Sequence, residues 1–329
     1  MIDRPPVLVT RRLAHEVMGY LNEHCLVTLN EEDRPMPRER LLGEVKGKRG
    51  VLPMLTDRID DELLDSAGPG LEVVANYAVG YDNVDVAACT SRGVLVTNTP
   101  DVLTDATADM TWSLILAASR RLGEGERLIR TGGTWAWAPD FMLGREVTGK
   151  TLGIVGFGRI GQAVAARAQG FRMRVLYHSR TRKREAEGAL GAEYRDLSAL
   201  LAEADVVSAH VSLSDETHHL FGADEFRAMR PTSLFVNTTR GAVVDEEALG
   251  SALRHGEIFA AGLDVYEREP EVHPLLLSLD NVVLVPHLGS ATVETRTAMG
   301  MLAAQNLVAA VEGRPPPSAV NPEALERRA

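Results

Sequence analysis

The chain has 329 residues, 45% of them hydrophobic and 25% charged; this length and ordinary globular usage fit two domains with full cores and exclude a mainly disordered chain. The net charge of −11 excludes a nucleic-acid partner, because a phosphate backbone calls for a basic protein face. No apolar run approaches the length of a membrane span, so no membrane partner is expected.

In chain order, short apolar strands alternate with helical segments. Strands are predicted over 7–10, 26–29, 51–55, 71–76 and 94–97, with helices over 14–21, 39–45, 59–66 and 84–89. A long helix over 106–120 follows Asn98-Thr99-Pro100, then a loop rich in Gly and Trp leads to a second α/β unit starting at Thr151. Its strands are predicted over 151–155, 173–177, 206–210, 234–237, 260–264 and 282–285. The pattern is that of two doubly wound parallel sheets, whose ligands sit beyond the carboxyl ends of the strands. The last long helix, over 293–311, has no place in a completed nucleotide domain and is expected to cross back to the first unit. The domains are therefore 1–98 plus 291–329, discontinuous, around an inserted 99–290. Arg314-Pro315-Pro316-Pro317 marks an extended tail.

Met1-Ile2-Asp3-Arg4-Pro5-Pro6 runs straight into a strand rather than a long apolar segment, so export is not expected. Cys25 and Cys89 lie in apolar surroundings without C-x-x-C spacing, which points to buried free thiols and a reducing cytoplasm. No recognisable ligand spacing points to a metal.

The most informative stretch is Gly156-Phe157-Gly158-Arg159-Ile160-Gly161, which follows a strand and opens a helical apolar stripe of Ile160, Val164, Ala165 and Ala168. Gly156 permits the tight turn, Gly158 lets the backbone approach a pyrophosphate, and Gly161 lets the helix pack closely on the strand. A dinucleotide cofactor is implied. Its type is read at the end of the next strand, roughly 20 residues past the first glycine, where an NAD site places an acid on the ribose 2′-hydroxyl. Here the chain reads His178-Ser179-Arg180-Thr181-Arg182-Lys183-Arg184, and the first acid is Glu185. Guanidinium groups match a 2′-phosphate that a carboxylate would repel, so NADP(H) is favoured and NAD(H) is tolerated.

Three later strand ends carry candidate catalytic residues: Arg240 in Asn237-Thr238-Thr239-Arg240-Gly241, Glu269 after Asp264-Val265-Tyr266, and His287 in Pro286-His287-Leu288-Gly289-Ser290. Hydride transfer to a ketone leaves an alkoxide that a histidine can protonate. A neighbouring carboxylate favours the charged imidazole and orients it. An arginine can clamp a substrate carboxylate and polarise the carbonyl beside it. Position alone does not single out His287, because His210 also ends a strand and His218-His219 are adjacent.

Taken together, these motifs in this order, with Gly262-Leu263-Asp264-Val265-Tyr266 and Glu269-Pro270, resemble the D-isomer-specific 2-hydroxyacid dehydrogenases over nearly the whole chain. Within the family, Ala75-Asn76-Tyr77-Ala78-Val79-Gly80-Tyr81-Asp82-Asn83, Asp101-Val102-Leu103-Thr104-Asp105-Ala106-Thr107-Ala108 and the Ser179-Arg180-Thr181 turn are most similar to the glyoxylate and hydroxypyruvate reductases. The resemblance implies a Rossmann cofactor domain inserted in a flavodoxin-like substrate domain. It implies Arg240, Glu269 and His287 as the catalytic set, and the backbone amides of Val79 and Gly80 as the holder of the substrate carboxylate. Cofactor contacts are implied along Gly156, Phe157, Gly158, Arg159, Ile160 and Gly161, at Ser179, Arg180 and Thr181, and at Thr104, Thr238, Thr239, Asp264 and Gly289. Trp137-Ala138-Pro139 matches a Trp-x-Pro segment that reaches into the partner subunit's active site in related reductases, so a homodimer is implied. Leu52, Met54 and Trp137 are candidates to line the substrate pocket.

The chain departs from its relatives at Val211-Ser212-Leu213, where they commonly carry proline. Pairing the histidine with Glu269 rather than glutamine points to hydroxy-acid chemistry rather than formate oxidation, and the end at Ala329 comes too soon for the regulatory domain that phosphoglycerate dehydrogenases often append. The leading expectation is an NADPH-preferring reductase of the 2-ketoacids glyoxylate and hydroxypyruvate, giving glycolate and D-glycerate. The alternatives are a broader D-2-hydroxyacid dehydrogenase for larger 2-ketoacids and a non-catalytic dinucleotide sensor resembling the family's co-repressors.

Overall fold

The computed structural model describes residues 4–32 and 34–327; the Met1-Ile2-Asp3 stretch and Ala329, on which the export and length expectations rest, lie outside them. The chain forms two compact units, one of Met1–Leu103 with Thr292–Ala329 and one of Thr104–Ala291. The division falls after Leu103, a few residues past the Asn98 read from sequence.

In the first unit, β1 (Pro6–Val9), β2 (Leu26–Leu29), β3 (Gly50–Leu52), β4 (Val73–Ala75) and β5 (Leu95–Thr97) form a parallel sheet in the order β2-β1-β3-β4-β5. That is the flavodoxin-like doubly wound order. The inner strands are short apolar runs because both faces are covered by helices, a condition under which alternation with polar residues disappears. One face packs Val7, Val9, Leu52, Val73 and Leu95 against helix Val293–Val311. The other packs Leu8, Val51, Val74 and Val96 against Leu41, Leu63 and Cys89.

In the second unit, β6 (Thr151–Val155), β7 (Arg174–His178), β8 (Ala192–Tyr194), β9 (Val206–Ala209), β10 (Leu234–Asn237), β11 (Ala260–Leu263) and β12 (Val282–Leu284) form a parallel sheet. The order β12-β11-β10-β9-β6-β7-β8 reverses direction between β6 and β9. Such a reversal opens a crevice at the carboxyl ends of those two strands. Helix Thr104–Ser119 packs on β10 and β11 and against helix Arg159–Ala168.

Three features differ from the sequence reading. Strand β8 was not anticipated; it is three residues long and carries Glu193 at its centre. Helix Leu122–Arg130 occupies part of the expected loop; Gly123 and Gly125 lower its intrinsic propensity and mask it in sequence. The tail beyond Pro317 docks on the first sheet, with Val320 donating its amide to the Val96 carbonyl at 2.8 Å and the Asn321 side chain accepting from the Val96 amide at 2.6 Å. These bonds satisfy the edge of β5, which an extended tail would leave open.

Candidate active site

The glycine turn sits at the end of β6, where each glycine answers a different demand. Gly156 has φ +98°, and a Cβ there would lie 2.4 Å from the His210 carbonyl carbon, while one on Gly161 would lie 2.3 Å from the Gly156 carbonyl oxygen. Both are required by the protein's own packing. A Cβ on Gly158 would meet no atom within 4 Å, so the protein's own packing does not require this glycine, and it leaves room for a close approach from outside. Helix Arg159–Ala168 starts there without a side-chain cap and without an acid in its first turn. Its leading amides and dipole suit an anionic pyrophosphate. The Phe157 ring is buried and stacked on Tyr177 at 4.2 Å, so Phe157 offers backbone rather than ring to a ligand. Ile160 is partly buried against the same core.

At the end of β7, the basic turn divides into two roles. Arg182 donates to Glu187 at 2.6 and 3.0 Å and lies over the Tyr194 ring, which commits it to the protein. Arg180 and Thr181 are exposed, and the Ser179 hydroxyl donates to the Thr181 carbonyl at 2.8 Å, closing the turn.

Beyond β10, Asn237 shapes the turn that carries Arg240: its side-chain oxygen accepts from the Thr239 amide at 3.0 Å and hydroxyl at 2.8 Å, and its amide donates to the Arg240 carbonyl at 2.9 Å. The Thr238 hydroxyl pairs with Thr111 at 2.9 Å. Gly241 lets this turn lie directly on the next loop, because a Cβ would be 1.8 Å from the Tyr266 carbonyl carbon. That loop bears Glu269, whose Oε2 lies 2.8 Å from His287 Nδ1 while Oε1 accepts from the Tyr266 amide at 3.1 Å. Burial alone would raise the Glu269 carboxyl; His287, the Tyr266 amide and the Arg240 charge outweigh it, and the net shift is downward. Arg240, Glu269 and His287 thus act on one another electrostatically within the second unit.

Two devices hold this arrangement, the Glu246–Glu267 pair, which the sequence reading missed, and Asp264, which it placed among the cofactor contacts. Glu246 and Glu267 each accept the other's backbone amide, at 2.9 and 3.0 Å, and so fasten the loop two residues before Glu269. Asp264 is buried, and its carboxylate accepts from the amides of Leu288 and Gly289, the latter at 2.7 Å. Burial pushes the Asp264 carboxyl upward. His287 is held at φ +54°, a left-handed conformation uncommon outside glycine and found where surrounding contacts over-determine the backbone. The two acids at the start of helix Glu246–His255 were visible in sequence, but as ordinary first-turn residues.

The competing histidines are placed elsewhere. His210 is half-buried, with Nε2 at 2.8 Å from the Ser208 hydroxyl, and desolvation of its ring pushes it down to about 3. A group neutral throughout the physiological range is a poor proton donor. His219 pairs with Glu267 at 3.3 Å, and His218 stacks on His219.

In the first unit, Val79 and Gly80 are half-buried on the loop after β4. The Leu52 side chain is fully buried among Val9, Val73 and Leu95, so it lines core, while Met54 is partly buried beside it. Trp137, in the second unit, is 82% exposed. Thr104 opens helix Thr104–Ser119.

Residues 112–289 match the model of the D-isomer specific 2-hydroxyacid dehydrogenase NAD-binding domain. The glyoxylate reductase of Thermococcus onnurineus is 51% identical over 330 aligned residues, covering 99% of this chain and 98% of the relative. Among solved structures, a glyoxylate reductase from Paecilomyes thermophila superposes with a TM-score of 0.86 at 34% identity, covering 98% of this chain and 99% of that one. An NADPH-dependent glyoxylate/hydroxypyruvate reductase from Sinorhizobium meliloti, in complex with NADP and malonate, superposes with a TM-score of 0.83 at 35% identity, covering 98% of each chain. The matched domain contains the glycine turn and all three charged groups, and the chain belongs to the D-isomer specific 2-hydroxyacid dehydrogenase family, as an oxidoreductase that uses a nicotinamide dinucleotide.

Proposed function

We propose that this protein is an NADPH-preferring reductase of glyoxylate and hydroxypyruvate, forming glycolate and D-glycerate. The observation that carries the reading is the 2.8 Å contact between His287 Nδ1 and Glu269 Oε2 at the carboxyl edge of the second sheet. Bound along the Gly156–Gly161 turn, a reduced nicotinamide dinucleotide supplies the hydride. With Nδ1 facing a carboxylate, Nε2 is the nitrogen that gives a proton to the new alkoxide and recovers it in the reverse direction. Glu269 stabilises the imidazolium and fixes the ring. Arg240 polarises the ketone and attracts the carboxylate beside it. The Val79 and Gly80 amides of the first unit are this reading's backbone donors to a substrate carboxylate.

The cofactor preference rests on a turn without an acid at the end of β7 and on exposed Arg180, since Arg182 is already paired with Glu187. A 2′-phosphate brings charge that Arg180 and the Ser179-Thr181 hydroxyls match. Thr104, Thr238, Thr239, Asp264 and Gly289 border or brace the rest of the dinucleotide path in this reading. The test is NADPH and NADH oxidation followed in parallel with glyoxylate, hydroxypyruvate, pyruvate and a bulky ketoacid. Best turnover of the bulky ketoacid would favour the broader dehydrogenase, and turnover of none would favour a sensor.

A homodimer is the second part of the proposal. Helix Leu122–Arg130 buries none of its residues, and Leu122, Ile129, Trp135, Trp137 and Leu143 are each more than half exposed. Five large apolar side chains exposed within 22 positions suit an interface; a second copy, with Trp137 reaching into its partner, covers them. Sedimentation at micromolar concentration should show a dimer, and a monomer there would sink this part. Two buried free cysteines suit a reducing compartment such as the cytoplasm, and no described helix is long and apolar enough to cross a membrane.

A further inference from the structure

The loop after β4 shows an ordered division of its backbone. Three consecutive carbonyls accept hydrogen bonds from the protein: Ala78 from the Thr99 amide at 2.8 Å, Val79 from Asn98 Nδ2 at 2.9 Å, and Gly80 from Asn76 Nδ2 at 2.9 Å. The amides just before them are also paired, Asn76 with the Thr97 carbonyl at 2.9 Å, Tyr77 with Pro53 at 3.1 Å and Ala78 with Asn76 at 2.9 Å. Among the described residues, the amides of Val79 and Gly80 donate to no protein acceptor. Two adjacent, half-buried N–H groups with their own carbonyls tied down form an anion-binding concavity, whereas N–H groups without partners are otherwise rare away from water.

We propose that Asn76 and Asn98 are positioning residues for the substrate carboxylate, holding the Val79 and Gly80 carbonyls so that the amides of these two residues present a fixed pair of donors. This rests on the reductase reading above, and names the side chains that make its carboxylate subsite. Each asparagine is itself braced. Asn76 is fully buried and its Oδ1 accepts from Asn83 Nδ2 at 3.1 Å, while Asn83 also donates to the Met54 and Asp57 carbonyls at 3.2 and 3.0 Å. The Asn98 carbonyl accepts from Asn306 Nδ2 at 3.1 Å and from the Ser318 hydroxyl at 2.7 Å. Buried Asn306 lies on helix Val293–Val311, so the returning C-terminal segment supports the loop from behind.

The chemistry requires an amide. A carbonyl oxygen needs a donor, which the asparagine Nδ2 supplies and an ionised aspartate of the same shape does not. The two variants Asn98→Asp and Asn98→Ala therefore remove the same bond, the first adding a negative charge at constant size and the second reducing size at constant charge. In both, the KM for glyoxylate is expected to rise roughly tenfold or more, the loss associated with a hydrogen bond to a charged group. The inhibition constant of oxamate, an unreactive carboxylate analogue of a 2-ketoacid, should rise in parallel. The change in kcat should stay within about threefold, and the NADPH dissociation constant, read by fluorescence, should not move. Asn76→Asp should repeat the pattern, and thermal melting selects the variants that remain folded.

A folded Asn98→Asp or Asn98→Ala protein with the wild-type KM and oxamate constant would overturn the proposal. So would losses shared equally by NADPH affinity, which would mean general unfolding of the unit. The reductase reading is tested separately by the wild type: if it turns over no 2-ketoacid, that reading fails. Calorimetric titration of oxamate into wild type and variants still decides the role of the asparagines.

Discussion

The charged cluster beyond β10, β11 and β12 and the loop after β4, both assigned here to a 2-ketoacid substrate, are built by different means. In the cluster, function is assigned to side chains, and other carboxylates hold the loops that carry them: Asp264 fastens the His287 loop, while Glu246 and Glu267 fasten the Glu269 loop. In the loop, function is assigned to the backbone, and side chains hold it: Asn76 and Asn98 bind the carbonyls of two residues whose amides have no protein acceptor among the described residues. The first design titrates; the second does not. A reaction that moves a proton needs a group that can gain and lose one, whereas a carboxylate that stays ionised needs only donors that never change state.

The largest effect should come from the titrating side. His287→Ala is expected to lower kcat by about two to four orders of magnitude, the usual loss of a general acid, with NADPH affinity in a fluorescence titration unchanged; a retained kcat would remove this residue from the chemistry. Glu269→Gln should bring a smaller loss and a change in pH dependence. The Glu269 carboxyl is shifted downward, so it is ionised across the neutral range and favours the protonated imidazole. Because glutamine does not ionise, the acid limb of the ketoacid-reduction profile, where Glu269 takes up its proton, should be lost in the variant. A retained limb would mean that the ionisation of this acid does not set it. Because its folded value lies below its unfolded one, Glu269 adds stability at neutral pH that is lost as pH falls through the folded value.

Next in size, Arg180→Ala should weaken NADPH roughly tenfold or more, as for loss of a charged hydrogen bond, and leave NADH nearly unaffected. Equal losses with both cofactors would mean that this turn does not read a 2′-phosphate. The smallest effect contrasts burial in the first unit with pairing in the second. Burial pushes the Cys25 thiol up to about 11 and Cys89 up to about 12. The thiolate is the reactive form, so neither should label with iodoacetamide in the native protein at pH 8, and both should label after denaturation. Rapid native labelling would show that the core around them opens.

What could be read from the chain follows the same divide. The strands of the second unit other than β8 are legible because parallel strands covered on both faces become uninterrupted apolar runs. The glycine turn is legible because its spacing is a local steric requirement, met at Gly156 and Gly161 by contacts within the unit. Arg240, Glu269 and His287 stand out because each follows a strand and carries chemistry in its side chain. Helix Leu122–Arg130 was not legible, since its glycines read as loop and its apolar residues face no core in this chain. Leu52 was read as pocket and lies in core, because an apolar strand end looks the same in either place.

The sequence by itself determined the two parallel-sheet units, the order of their motifs and the chemical types at the strand ends, since periodicity, glycine spacing and residue identity are local properties. Only the tertiary structure decided which residues hold the working groups in place. Glu246 meets Glu267, Asp264 meets Gly289, and Asn306 supports Asn98 from more than two hundred positions away. A hydrogen bond between distant segments depends on where folding brings two atoms, and leaves no periodic trace in the chain that forms it.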